Sequence, residues 1–166
     1  TIPNGSTVVI KTDGTAAVVG QSGSANPSVG TPVVFNSGNT TVTAAAFDSS
    51  NNKVVVAYQD VGNSEYGTAI VGTVSGTSIS FAGETAFDSS TVYYPIPVFD
   101  STNNKIVISY SDGGDSNYGN AIVGTVSGNS ISFGSQTRFT TATSGAGLLK
   151  TILLFFITLT ITSLAF

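Results

Sequence analysis

The chain holds no cysteine, no histidine, no methionine and no tryptophan. Without cysteine there is no disulfide framework, no thiolate metal site and no cysteine nucleophile. Without histidine the commonest general base and the commonest transition-metal ligand are missing. Charge is scarce as well: 8% of 166 residues, where an ordinary soluble domain carries roughly 25%. The five basic residues (Lys11, Lys53, Lys105, Arg138 and Lys150) are scattered, and the net charge is −4. Phosphate binding needs clustered Lys and Arg, so the expectation is no nucleic-acid partner. Beginning on Thr1, the chain reads as processed, trimmed or a fragment. Gly, Ser, Thr and Asn fill the space that charge leaves, a composition that favours turns and strands over helices.

What is present in quantity is self-similarity. Ala69–Gly76 and Ala121–Gly128 are both AIVGTVSG, 52 positions apart. Aligning Phe47–Gly83 with Phe99–Ser135 gives 25 identities in 37 positions. The period reaches outward more faintly: Phe35, Phe87 and Phe139 share a phase, and AVVG at Ala17–Gly20 matches AIVG at Ala69–Gly72. Each unit reads as four short strands: Val42–Phe47, Lys53–Gln59, Thr68–Val74 and Ser78–Phe81. Their equivalents are Tyr94–Phe99, Lys105–Ser111, Asn120–Val126 and Ser130–Phe133. Turns rich in Gly, Asn, Asp and Ser separate them. The second and third strands are almost wholly apolar, as in a sheet covered on both faces. The fourth alternates, as a half-exposed strand does.

Four-stranded antiparallel sheets stacked face to face describe β-propeller blades, and a 52-residue period is close to the ~50 of kelch-type repeats. The expected fold is therefore all-β: part of a propeller built from four-stranded blades. A β-solenoid or tandem sandwich array is the alternative. The expected organisation is a partial N-terminal blade over 1–34, repeats over 35–86 and 87–138, a linker over 139–147 and an apolar tail over 148–166. A propeller closes with about four to eight blades. Further blades in a longer chain, or self-association into a ring, would supply the rest. The tail from Thr151 to Phe166 carries no charge. It admits three readings: a membrane or sorting segment, somewhat short of the ~20 residues a spanning helix needs; terminal strands; or a changed reading frame.

Chemistry-bearing residues gather on one predicted rim, formed by the loops after the second strand and the connection Phe87–Pro95 between units. It collects Asp60, Glu65, Tyr66, Asp88, Tyr93, Tyr94, Asp112, Asp115, Asn117 and Tyr118. Carboxylates and amides fix sugar hydroxyls, while aromatic faces cover the apolar side of a pyranose. The same residues also suit plain turns, with Asp starting the turn and Gly supplying positive φ. Calcium is a further possibility, because Asp112, Asp115 and Asn117 offer hard oxygen ligands. Carboxylate pairs for glycoside hydrolysis would be Asp60 with Asp112, or Glu65 with Asp115.

The loop YSDGGDSNYG resembles the Asp-box, S-x-D-x-G-x-T-W, of sialidase-type propellers, with Asp112, Gly114 and Ser116 on its D-x-G-x-S core. Tyr110 replaces the leading Ser, the Trp is absent, and Tyr118 comes one residue late. The resemblance brings no catalytic residue across, since sialidases use an arginine triad and this chain has one Arg. Over Val33–Thr143 the pattern is similar to tandem propeller repeats of bacterial surface and phage-borne proteins. That resemblance is one of architecture; the loops a ring gathers at one face suit recognition, so the expected function is an extracellular, cell-surface or virion-associated, non-enzymatic module for adhesion to glycan or protein, with no cofactor. A purely structural spacer of a larger surface or fibre protein is the alternative, and a propeller glycosidase fragment a third. Membrane contact would come only through the tail.

Overall fold

The structure, a computed structural model, describes residues 8–18, 29–143 and 145. The apolar tail expected at 148–166 lies outside the described residues. The chain divides into two compact units, Thr1–Gly30 and Thr31–Phe166. In the first, β1 (Val8–Ile10) and β2 (Ala16–Val18) form an antiparallel hairpin. Its turn is closed by Asp13 Oδ1, which accepts the Thr15 N–H at 2.9 Å.

The second unit is all-β and antiparallel, with no α-helix among the described residues. Its strands are β3 (Thr40–Asp48), β4 (Lys53–Asp60), β5 (Tyr66–Ser75), β6 (Ser78–Phe81), β7 (Thr85–Asp100), β8 (Lys105–Asp112), β9 (Tyr118–Ser127), β10 (Ser130–Phe133) and β11 (Thr137–Thr143). The sheet is open, running β10-β9-β8-β7-β5-β4-β3, with β6 added on β5 and β11 on β9.

The 52-residue spacing reappears in the hydrogen bonding. Asp48 accepts from the N–H of Ser50 and Asn51 and from Asn51 Nδ2, and Asp100 accepts from Thr102, Asn103 and Asn103 Nδ2 in the same way. These bonds close the turns into β4 and β8, which is what short Asp and Asn side chains do well. Bulges interrupt β3 and β7 at equivalent places, with Val42 at φ 48° and Tyr94 at φ 52°.

Two features differ from the sequence reading. The connection Phe87–Pro95 is not a rim loop. It lies inside β7, one 16-residue strand whose first part pairs β5 and whose second part pairs β8. Beyond Val92 the strand is bonded on one side only, an edge position that tolerates Pro95 and Pro97. Residues 139–143, placed in a linker from sequence, belong to β11. They hold the position against β9 that the start of β7 holds against β5.

Side chains alternate between the two faces of each strand, and that alternation sorts the core. Val55, Ala57, Ala69 and Val71, from one face of the first repeat, are closed over by Phe87, Ile106, Ile108 and Tyr110 of the segments that follow. The opposite face of the first repeat buries Val56, Tyr58 and Ile70 against Phe35, Val54 and Phe81. Rings repeat with the sequence. Phe35 meets Tyr58 at 5.2 Å and 61°, and Phe87 meets Tyr110 at 5.2 Å and 61°. Phe81 and Phe133 complete the two triads. The outward face of the second repeat is more open: Val123 is 46% exposed where its counterpart Val71 is 1% exposed.

Candidate functional site

At the end of β8 the chain turns sharply. Asp112 Oδ1 accepts the Gly114 N–H at 2.8 Å, which closes a short 3₁₀ turn over Gly113–Asp115. Ser116 and Asn117 then take left-handed backbone, a conformation short polar side chains accept more readily than bulky ones. The turn after β4 has the same form, with Ser64 and Glu65 left-handed.

The second turn feeds a polar network that is buried at Asp112 and Asn120 and opens outward at Gln136 and Arg138. The Tyr110 hydroxyl donates to Gln136 Oε1 at 2.7 Å, and Gln136 Nε2 lies 3.5 Å from Asp112 Oδ2. Asn120 Nδ2 reaches Asp112 Oδ2 at 3.4 Å and Asp115 Oδ2 at 3.3 Å. Arg138 grips Asp115 through both Nε and Nη2, and its guanidinium sits 5.1 Å from the centre of the Tyr118 ring. Asp112 is 2% exposed. Burial pushes its carboxyl above the ordinary 3.8, and the Asp88 and Asp115 charges add to the rise. Burial, then the charge and the hydrogen-bonding approach of the Asp88 carboxylate, then the Asp112 charge, hold the Tyr110 phenol far above its usual range.

Asp88 is the exception in this network. Its Oδ1 accepts the Ser90 N–H at 2.8 Å, while its Oδ2 is buried with no partner. A cavity of about 300 Å³ opens beside it, with polar lining from Asp88, Ser89, Ser90 and Gln136 and apolar lining from Phe87 and Ile122. Buried polar atoms are ordinarily paired, and this carboxylate oxygen beside the cavity departs from that rule.

The structure places the expected residues unevenly. It brings Asp88, Asp112 and Asp115 into one network. Asp60 is buried at the end of β4, in the equivalent position of the other repeat. Glu65 is exposed, and its Oε2 accepts from Thr91 Oγ1 at 3.1 Å. Tyr66 is half-buried opposite Asp60. Tyr93 and Tyr94 are exposed, their ring centres 6.5 Å apart. Asn117 is exposed and gives its carbonyl to Ser111 Oγ, and Tyr118 packs against Arg138. The charges that act on Asp112, expected to pair with Asp60, are those of Asp88 and Asp115. Asp115, expected as a calcium ligand, has its carboxylate engaged by Arg138. Among the described residues no group of three or more acidic side chains is placed to hold a metal ion.

Sequence reasoning missed Tyr110, Asn120, Gln136 and Arg138. One signal was available. Asn36 and Asp88, Tyr58 and Tyr110, Asp60 and Asp112, and Glu84 and Gln136 are each 52 residues apart. Each set holds one tyrosine, two acids and one amide.

The raised carboxyl of Asp112 sets a direction with pH. A folded-state value above the unfolded one means the folded chain holds more protons between the two, so stability falls as pH rises from about 3.8 through the folded value. Asp88, Asp115 and Tyr110 face the group, and Arg138 acts on it through Asp115. Asp112→Asn keeps an oxygen for Gly114 and loses the charge. Urea midpoints at several pH values are expected to match the parent at the acid end and to exceed it at pH 7.

No protein-family model, curated protein or solved structure matches the chain.

Proposed function

We propose that the chain is a two-blade segment of a β-propeller, acting as a non-enzymatic, extracellular or virion-associated module that binds glycan at its loop rim. The stacked repeats support the propeller reading: the first buries one face against the second, and the outward face of Val107, Ala121 and Val123 is where a further blade would lie. The observation that carries the binding reading is the unpartnered Asp88 Oδ2 beside a polar cavity lined by the second repeat. A sugar hydroxyl donates to such an oxygen, Ser90 and Gln136 supply further hydroxyl and amide groups, and Phe87 and Ile122 suit the apolar edge of a pyranose. The exposed pair Tyr93 and Tyr94 offers ring faces on the same strand. A sparse charge of −4 over 166 residues fits a neutral ligand better than a charged one.

A glycan array probed with the parent chain, Asp88→Ala and Tyr93→Ala/Tyr94→Ala tests it. Asp88→Ala is expected to weaken binding about tenfold, the loss of one charge-assisted hydrogen bond. No glycan bound by the parent, or the same glycans bound equally by Asp88→Ala, would refute the reading.

A further inference from the structure

The first repeat carries a polar niche equivalent to the Asp88 network, yet almost none of its groups are tied. Tyr58 and Asp60 share a face of β4, and Thr68 stands opposite Tyr58 on β5. Asn36 and Glu84 approach the Tyr58 phenol as hydrogen-bonding neighbours and Asp60 acts on it by its charge, though none closes a bond of good geometry. Tyr58 is 0% exposed, Thr68 is 2% exposed and Asp60 is 4% exposed. Three buried polar atoms here have no partner: Asn36 Nδ2, the Tyr58 hydroxyl and Thr68 Oγ1.

The second repeat shows why. There the tyrosine is satisfied by Gln136, and Asn120 bridges Asp112 and Asp115, which Arg138 holds. In the first repeat Thr68 replaces that Asn, Asn63 replaces Asp115, and Ala86 replaces Arg138. A threonine hydroxyl is too short to bridge as the amide does, and Ala86 offers no cation to close the cluster. The counterparts of the cavity lining are Phe35, Asn36, Ser37, Ile70 and Glu84.

We infer that the Asn36–Tyr58–Asp60–Thr68–Glu84 niche is a second binding site for the same class of ligand, a neutral saccharide hydroxyl, so that one chain binds two. The unpaired atoms decide the class. Asn36 Oδ1 accepts the Gly38 N–H at 2.6 Å, which commits Nδ2 as an unpaired donor. A cation cannot accept from that donor. An anion would be repelled by Asp60 and Glu84, and no basic group among the described residues acts on the Tyr58 phenol to offset them. A hydroxyl does both jobs, accepting from Asn36 and donating to a carboxylate. Tyr58 and Thr68 can serve in either sense. Three unpaired atoms gain partners here against one at Asp88, so the first niche is the tighter of the two sites.

The inference rests on the glycan reading of the rim and is tested so that the two fail separately. A saccharide retained on the array is titrated calorimetrically into the parent, Asp88→Ala, Asn36→Ala and Tyr58→Phe. The parent is expected to bind two equivalents. Asp88→Ala should keep one, the tighter, and Asn36→Ala should keep only the weaker. Tyr58→Phe should weaken the tighter step about three- to tenfold while leaving the unliganded chain as stable as the parent in urea, because the lost hydroxyl had no partner. One equivalent in the parent, abolished by Asp88→Ala, would overturn the second site and leave the rim reading standing. No binding by the parent would overturn both. Two equivalents unchanged by Asn36→Ala and Tyr58→Phe would place the second ligand elsewhere and so also refute the inference.

Discussion

Phe87→Ala is expected to cost about 3–5 kcal/mol of folding stability, the range for removing a buried aromatic ring. Phe87 is 7% exposed and belongs to β7, yet it works between the repeats. One part of the ring covers Gly67 on β5, and its edge meets Tyr110 on β8 at 5.2 Å, with Phe133 at 5.7 Å. Its loss opens a hole that backbone cannot fill, since both flanking strands are fixed by their ladders. Phe139→Ala is the control: it removes the same ring from the same sequence phase, but Phe139 is only half-buried. Equilibrium urea unfolding of the two variants checks the contrast. Equal losses would show that Phe87 does not join the repeats.

Gly67→Ala is the second large effect, and it comes from the same contact read from the other side. A Cβ at residue 67 would lie 2.5 Å from Phe87 Cε2 and 2.7 Å from Val92 Cγ2. Both atoms belong to packed side chains, so one must move. Overpacking of this kind costs about 1–3 kcal/mol. Gly119 repeats the arrangement, with Phe139 Cε2 at 2.6 Å from the position of its Cβ. Gly67→Ala should therefore lower the urea midpoint more than Gly119→Ala, whose ring has more room to swing outward. A double-mutant cycle of Gly67→Ala with Phe87→Leu should give coupling of opposite sign to the single losses, because the smaller side chain relieves the clash. Additive losses would mean that the glycine is not there to admit the ring.

These contacts also mark what the sequence could tell. Phe35, Phe87 and Phe139 stand 52 residues apart and could be counted. The apolar runs of β4, β5, β8 and β9 were visible as strands because they are almost wholly apolar and bury most of their side chains. The turn Asp-Ser-x-Asn-Asn preceding β4 and β8 was legible as a hairpin because one side chain makes all its bonds locally. What could not be read was the path of β7. Its Asp-Ser-Ser-Thr stretch has turn composition, and only pairing with β5 on one side and β8 on the other makes it strand. The rim was read half correctly for the same reason. Asp88 and Asp112 were picked out as turn residues facing one rim, but Tyr110 joins them from β8 itself, Asn120 from β9, Gln136 from the connection after β10, and Arg138 from β11. Tyr58 and Tyr110 looked like ordinary members of an apolar run, and a phenol at the buried end of such a run carries no local sign of its hydrogen-bond partners.

The shared strand has a consequence for how the molecule comes apart. β7 donates and accepts along its first part to β5 and along its second to β8, so neither repeat owns it. Pulling the first repeat away strips the second of its outermost ladder, and the reverse holds equally. Amide protons of Val55–Ala57 and Val107–Ser109 should therefore exchange with solvent at one common free energy, through a single opening event, although the two stretches lie in different copies of the repeat.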